Sequence, residues 1–410
     1  MLNKNGQREL AYVVAIDDIT SIKGKDRVES AHVGGWQIMV RKGLYNLGDL
    51  AVYFEIDSKL PDNDDRFNFL EKYHYRIKTQ KFKDYYSQGL LMSAEELGGE
   101  KIEVNKKPAL KINDKLFFQG DFLTEELGVT HYQPDAPVRH LSSEDKYKKM
   151  ARRHPKVFSN PLVRKIYKTE IGKRILFAFF GRDFKKPTSF PTQFPYIHKT
   201  DQERCENIPW VLKDKTPFIV TQKCDGSSGT FILERTKNPF KKYEFYVCSR
   251  NVRQLDEKQQ CFYDENYYWA VAKKYNIEEK LTDYMNKHPE LTYVCWQGEI
   301  CGPGIQKNPH GLTSLHLFCF HMIDSEIGKY DIRKAKTIWD EYKMKTVPIL
   351  GEIVLPDSFE EFKLQADGYY DPSVCEGKEH QHREGFVYYK TSDPNFSFKN
   401  VSRKYLASKG

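Results

Sequence analysis

Short apolar runs separated by glycine-containing turns dominate the first 120 residues. "LAYVVAIDDI", from Leu10, is apolar and β-branched, and "GWQIMV", ending at Val40, alternates with a period of two. "GDLAVYFEI" follows a Gly-Asp turn; "QGLLMS" around Leu90 and "KLFFQG" around Phe117 read in the same way. Gly24, Gly34, Gly35, Gly43 and Gly48 fall between the runs. A period of two places alternate side chains on opposite faces of a strand, so this pattern predicts short strands closing into a small β-barrel. Pro134 and Pro137 then break the chain. In "EDKYKKMARRH" and "NPLVRKIYKTEIGKRILFAFF", Leu162, Ile166 and Ile175 fall near helical spacing with basic residues between them, which predicts a helical arm. Pro187, Pro191 and Pro195 mark a linker or wrapped loop, and from about Thr200 strands alternate with helices. The expected units are residues 1–135, a barrel; 136–190, a basic helical arm; and 191–410, a second domain.

A length of 410 residues fits two or three domains at about 100–200 residues each. The longest apolar run, "ILFAFFG" near Ile175, is far short of the roughly 20 residues that span a bilayer. No apolar leader follows Met1, so a secreted or membrane-bound protein is not expected. Eight cysteines without a C-x-x-C pair argue against a zinc site and for a reducing, cytoplasmic setting. Charge is concentrated in the arm. Between Lys146 and Lys186 fourteen Lys/Arg face only Glu170 and Asp183, a net of +12 in a chain whose total is +8. Such a block suits a polyanion partner.

The candidate chemistry begins at "PFIVTQKCDGSSGTFILER", Pro217–Arg235. Lys223 stands at the shoulder of a polar, hairpin-like tip between two apolar runs. Lysine is a nucleophile only when neutral, against an ordinary pKa of about 10.4, and burial or nearby cations favour the neutral amine. Asp225 could hold a metal, and Gly226 would let the backbone approach a phosphate. Alone, the tetrapeptide reads more readily as a lysine in a surface hairpin.

Five further stretches follow in order. They are "VCSRN" (Val247–Asn251), "WQGEICGPGIQKNP" (Trp296–Pro309), "LFCFHMID" (Leu317–Asp324), "REGFVYYK" (Arg383–Lys390) and "FSFKNVSRKYL" (Phe396–Leu406). Each has an ordinary structural reading by itself. Together with Lys223 they resemble the motifs of the covalent nucleotidyltransferases, the polynucleotide ligases and mRNA capping enzymes. That resemblance makes Lys223 the nucleophile, with Gln222, Asp225, Gly226, Arg250 and Glu299 at the nucleotide. Either Phe318 or Phe320 would stack on the base; two apart on a strand, they should face the same side. Glu384 would help organise a metal, and Lys399 would face the α-phosphate.

The G-P-G-I-Q run after Glu299 resembles the RNA-ligase branch. "IKGKDRVESAHVGGWQIMVRKGLYNLGDLAVYFEIDSKLP" (Ile22–Pro61), "YRIKTQKFKDYYSQGLLM" (Tyr75–Met92) and the lead-in "FPYIHKTDQERCENIP" (Phe194–Pro209) are similar to one ATP-dependent RNA ligase family with an N-terminal OB domain. The fold so implied is α+β: an OB-type β-barrel followed by an ATP-grasp-like nucleotidyltransferase domain of antiparallel sheets and helices. The activity implied is sealing of 3′-OH and 5′-phosphate RNA ends, nicked duplexes included, through a lysyl-adenylate and an RNA-adenylate. ATP and Mg2+ or Mn2+ would be cofactors, with Asp225, Glu299 and Glu384 holding the metal through waters. A monomer is expected. A GTP-dependent guanylyltransferase and a non-catalytic OB-type RNA-binding protein are the rival readings. One departure is Ser397, where many relatives have a first lysine in the last motif; Lys390 and Lys404 are the candidates to compensate. Arg41, Lys42, Arg76, Lys78, Lys81, Lys83, Arg152 and Arg153 are candidates for RNA contact, since OB folds track a strand with cations and aromatics.

Overall fold

The structure is a computed structural model that describes the chain except residues 4–6, 84, 133–146, 149, 152–153, 181–188, 198–199, 255–265, 379 and 410. Its N-terminal part is built from β1 (Ala11–Ala15), β2 (Asp18–Ser21), β3 (Val28–Val33), β4 (Trp36–Arg41), β5 (Leu50–Phe54) and β6 (Leu90–Met92), followed by a small sheet of β7 (Glu100–Val104), β8 (Lys107–Ile112) and β9 (Lys115–Phe117). β5 lies between β1 and β6, and β2–β3–β4 form an antiparallel meander. The uniform apolar run of β5 has a physical reason. Leu50, Val52 and Phe54 face one core, whereas Ala51 and Tyr53 face another that contains Trp36, Ile38 and Val33. Because side chains alternate along a strand, a strand between two cores is apolar throughout. The barrel predicted from the glycine turns is therefore a two-core module.

The arm contains α1 (Pro161–Tyr167) and α2 (Glu170–Phe180). Asn160 caps α1 by accepting the Leu162 N–H at 2.9 Å, with Pro161 in the first turn. Tyr147, Met150, Phe158, Tyr167 and Leu176 make a small core of their own. Leu162, Ile166 and Ile175, the predicted helical stripe, remain exposed. Arg152 and Arg153 lie outside the described residues.

The C-terminal part holds two packed sheets. One runs Glu203–Arg204, β17 (Asp393–Val401), β16 (Gly385–Lys390), β10 (Phe218–Lys223), β15 (Ile349–Ile353). The other runs Arg253–Gln254, β12 (Tyr243–Ser249), β11 (Ser227–Arg235), β13 (Tyr293–Cys301), β14 (His316–Asp324), Gly328–Lys329. Helices α3 (Tyr267–Lys274), α4 (Ile277–Lys287) and α5 (Ile332–Glu341) pack on the second sheet around Trp296, Trp339 and Met285. α6 (Phe359–Gln365) packs on the first sheet around Phe218, Tyr388 and Phe398. α7 (Arg403–Ser408) follows β17. Pairing is antiparallel except at Glu203–Arg204 with β17 and Lys345–Thr346 with β14.

This topology corrects one local expectation. β10 pairs with β15 and β16, whereas β11 pairs with β12 and β13. Residues 224–226 are thus not a hairpin tip; they carry the chain from one sheet to the other.

The barrel is seated on the second domain through polar groups. Gly35 donates its N–H to the Glu206 carbonyl at 2.7 Å, and a Cβ at Gly35 would stand 2.7 Å from the Glu206 Cα. Trp36 Nε1 and Tyr12 OH both donate to Asn207 Oδ1, at 2.7 and 3.0 Å. Glu55, wholly buried, receives Arg8 at 2.7 Å. Burial raises the Glu55 carboxyl, but the Met1 amino group, Arg8 and Arg204 outweigh it and hold it near about 2. Beneath the contact, Lys363 and Glu206 form a fully buried pair at 2.7 Å.

Candidate active site

The crossover from β10 to β11 opens into a cleft of about 920 Å³ between the two domains. Lys223, the last residue of β10, is 23% exposed there and donates to Glu384 Oε1 at 2.9 Å. Glu384 immediately precedes β16, whose Gly385 pairs with Lys223. Glu299 projects from β13 and accepts the Gly226 N–H at 3.1 Å. Only glycine fits at 226, because a Cβ would lie 2.8 Å from Cys301 Sγ and closer still to the Ile300 carbonyl.

The electrostatics of Lys223 differ from the sequence expectation. Burial favours the neutral amine, but Glu384, Glu299 and Asp225 together outweigh it and hold the ammonium charged, above the usual lysine range. The neighbours that hold it so are the same carboxylates assigned to the metal. Two of those acids are shifted in turn, toward the neutral form. Burial pushes Glu299 up to about 8 against the pull of Lys223, and it raises Glu384 as well. Glu384 Oε2 is buried with no protein partner, as is Gln222 Nε2, while Gln222 Oε1 accepts the Asp371 N–H at 2.8 Å. Among the described residues, no group of three ligating side chains is arranged to hold a metal ion directly.

Asp225 is fixed from two sides. Lys409, just past α7, reaches its carboxylate at 2.5 Å, and its N–H donates to His310 Nε2 at 3.1 Å. Since Nε2 accepts, the His310 proton sits on Nδ1, which donates to the Val374 carbonyl at 2.9 Å. Burial pulls His310 down to about 4, so the ring is neutral at ordinary pH. Opposite, Lys399 on β17 and Arg250 after β12 both meet Asp201, at 3.0 and 2.6 Å. Burial pulls Lys399 down to about 8 despite Asp201.

Phe318 and Phe320 part company. Gln297 pairs with His321, but the next residue, Gly298, pairs with Cys319, so Phe320 is left over as a bulge in β14. Phe318 is 1% exposed in the core, whereas Phe320 lines the cleft. Phe320 still packs against the core that holds Phe318, but the bulge interrupts the strict alternation on which a shared face was expected.

Lys390 and Lys404 do not substitute for the missing lysine at Ser397. They pair with Asp214 and Asp367, and neither lines the cleft. Of the barrel candidates, Arg76 lines the cleft, paired with Asp57 at 3.3 Å and lying 4.1 Å over the Tyr132 ring. Arg41, Lys42, Lys81 and Lys83 are exposed away from it, and Lys78 is half-buried. Sequence reasoning assigned nothing to Asp201, His310, Lys409 or the barrel's Arg8 and His131, all of which face the cleft or hold a residue that does. Asp201 lies inside the quoted lead-in, and His310 directly follows the Glu299 motif; nothing in the sequence linked them to Lys223.

A family model described as OB-fold domain matches residues 10–94, and one described as RNA ligase matches residues 216–406. Solved structures of Naegleria gruberi RNA ligase are similar over nearly the whole chain. Its complex with pyrophosphate is 26% identical, covers 98% of this chain and 99% of that one, and gives a TM-score of 0.68. An arginine-to-alanine variant with ATP and manganese is 27% identical with the same coverage and score. A lysine-to-alanine variant with ATP and manganese is 25% identical, with 98% of both chains covered and a TM-score of 0.68. No curated protein sequence matches the chain.

Proposed function

The chain is an RNA ligase with an N-terminal OB-fold domain, and we propose that it uses ATP and a divalent metal to join a 3′-hydroxyl to a 5′-phosphate RNA end. The observation that carries this reading is Lys223 at the sheet crossover, facing an open cleft and ringed by Glu384, Glu299 and Asp225. ATP and manganese in the similar Naegleria ligase support the choice of nucleotide and metal.

The neutral Lys223 amine attacks the α-phosphorus of ATP. A nitrogen–phosphorus bond forms, the bond to the β-phosphate oxygen breaks, and pyrophosphate leaves. AMP then passes to the 5′-phosphate of RNA, and a 3′-hydroxyl displaces it to form the phosphodiester. Phe320 faces the base, Arg250 the nucleotide, Glu299 the ribose and Lys399 the α-phosphate. Arg76 and His131 of the barrel close the far side of the cleft.

The residues present fit a hydrated cation. Three carboxylates surround Lys223, of which only Asp225 has a second lysine, Lys409, and Glu384 Oε2 is buried without a partner. Asp225, Glu299 and Glu384 would hold the metal through waters; bound there, its charge would neutralise the acids that keep Lys223 protonated and the phosphates under attack. Lys223 would then fall toward the neutral form its burial already favours.

The test is incubation with magnesium and ATP labelled at the α-phosphate, beside Lys223→Ala and labelled GTP. Covalent label from ATP that disappears in Lys223→Ala is the expected result. Label from GTP alone would make the protein a guanylyltransferase. No label from either, in folded protein free of prior adenylate, would overturn catalysis through Lys223.

A further inference from the structure

Asp201 has no part in the mechanism just described, on which the following inference rests. Its side chain, 9% exposed, gathers three cations from three parts of the chain. Oδ1 accepts from Lys399 at 3.0 Å, while Oδ2 accepts from Arg250 at 2.6 Å and from Arg8 of the barrel domain at 3.2 Å. Two of these cations are the ones that would meet the nucleotide. The third comes from the other domain.

We propose that Asp201 is a positioning residue for adenylate transfer: it holds Lys399 and Arg250 side by side on the phosphate wall of the cleft, and Arg8 fixes it there. Without the carboxylate, three like charges would crowd one wall, and two long side chains would regain their rotamers. The same cations hold the Asp201 carboxyl well below its usual range although burial alone would raise it, so it stays an anion at working pH. A role purely as an interdomain strut does not account for the arrangement. Arg8 is already anchored by Glu55 at 2.7 Å and the Gln202 carbonyl at 3.0 Å, and Arg250 is 46% exposed and bridges no domains. The barrel thus acts on the chemistry at one remove, through Arg8 and Asp201.

The test uses the full chain and single-turnover labelling of Lys223 across a range of ATP concentrations, with melting followed in parallel. Asp201→Asn keeps the shape and removes the charge. The maximal labelling rate is expected to fall about 10- to 100-fold, the cost of misplacing a catalytic group by about an ångström. The half-saturating ATP concentration should move by less than about threefold. Asp201→Glu should recover part of the rate, and Arg8→Gln should lower it by a smaller factor. An unchanged maximal rate in Asp201→Asn, or a change confined to ATP affinity, would overturn the proposal. Should Asp201→Asn fail to fold, Arg8→Gln carries the test, and an unchanged maximal rate there would overturn it equally. Absence of label in the unmodified protein would sink the ligase mechanism instead, and so is a separate outcome.

Discussion

Two groups of buried acids in this molecule are shifted in opposite directions. At the domain contact, Glu55 and Glu206 are held below the usual glutamate range because cations outnumber or match them: Arg8 and Arg204 around Glu55, Lys363 and Arg204 around Glu206. At the cleft, Glu299 and Glu384 are pushed up, because burial acts on three carboxylates that share Lys223. Glu55 and Glu206 are sealed from water, whereas Glu299 and Glu384 are half-buried in the wall of an open cleft. In the first group, the protein's own cations balance the acids. The second has more negative charge than the protein balances, and an unsatisfied oxygen besides. Buried acids with excess charge mark a place where a cation and a substrate are to arrive; buried acids in balance mark a joint.

The largest expected effect lies at the joint. Lys363→Met strands Glu206, and breaking a buried pair in this way should cost about 3–5 kcal/mol in denaturant unfolding. Label on Lys223 in the folded fraction should survive. A loss below about 1 kcal/mol would mean the joint is not held by this pair. Next comes Glu384→Gln. Adenylylation should fall by about 100- to 1,000-fold, as for loss of one charged group at a transition state. The unfolding midpoint should hold or rise, because one of three crowded charges is gone. Destabilisation as large as in Lys363→Met would erase the distinction between the two groups.

The smallest effect is the sharpest in sign. Glu55 has a depressed folded pKa, near about 2, so its stabilisation is complete above the ordinary glutamate range and drains away as pH falls toward 2. Glu299 has a raised folded pKa, about 8, so it opposes folding most above pH 8 and the penalty fades as pH falls from 8 toward the ordinary range. Each slope is at most about 1.4 kcal/mol per pH unit. Urea midpoints should therefore show a shallower acid-side slope in Glu55→Gln and a shallower slope between pH 5 and 8 in Glu299→Gln. Identical profiles for the two variants would break the comparison.

How much of this was legible in the sequence depended on range. The strands of the barrel could be read because alternation is local, and β5 stood out because two-sided burial leaves no polar position. Lys223, Glu299, Glu384 and Lys399 could be read because each lies in a distinctive short stretch. Asp201 could not, since its partners Arg8 and Lys399 lie 193 and 198 residues away and only the fold brings them together. The acids around Lys223 could be named from their motifs, but the balance between burial and their charge could not, because they come from three separate strands or turns. Leu162, Ile166 and Ile175 kept helical spacing without packing inward, because spacing reports a helix and not what covers it.

The bulge at Phe320 has one more consequence. The aromatic reaches the cleft because β14 carries one residue more than β13 can pair with, between Cys319 and His321. Its place is therefore kept by counting. Replacing Phe320 changes what stands at the mouth of the cleft; deleting it would remove the bulge itself and leave Cys319 and His321 paired with Gly298 and Gln297 as they are now. A substitution tunes the aromatic contact, whereas the deletion closes the ladder and removes the contact altogether.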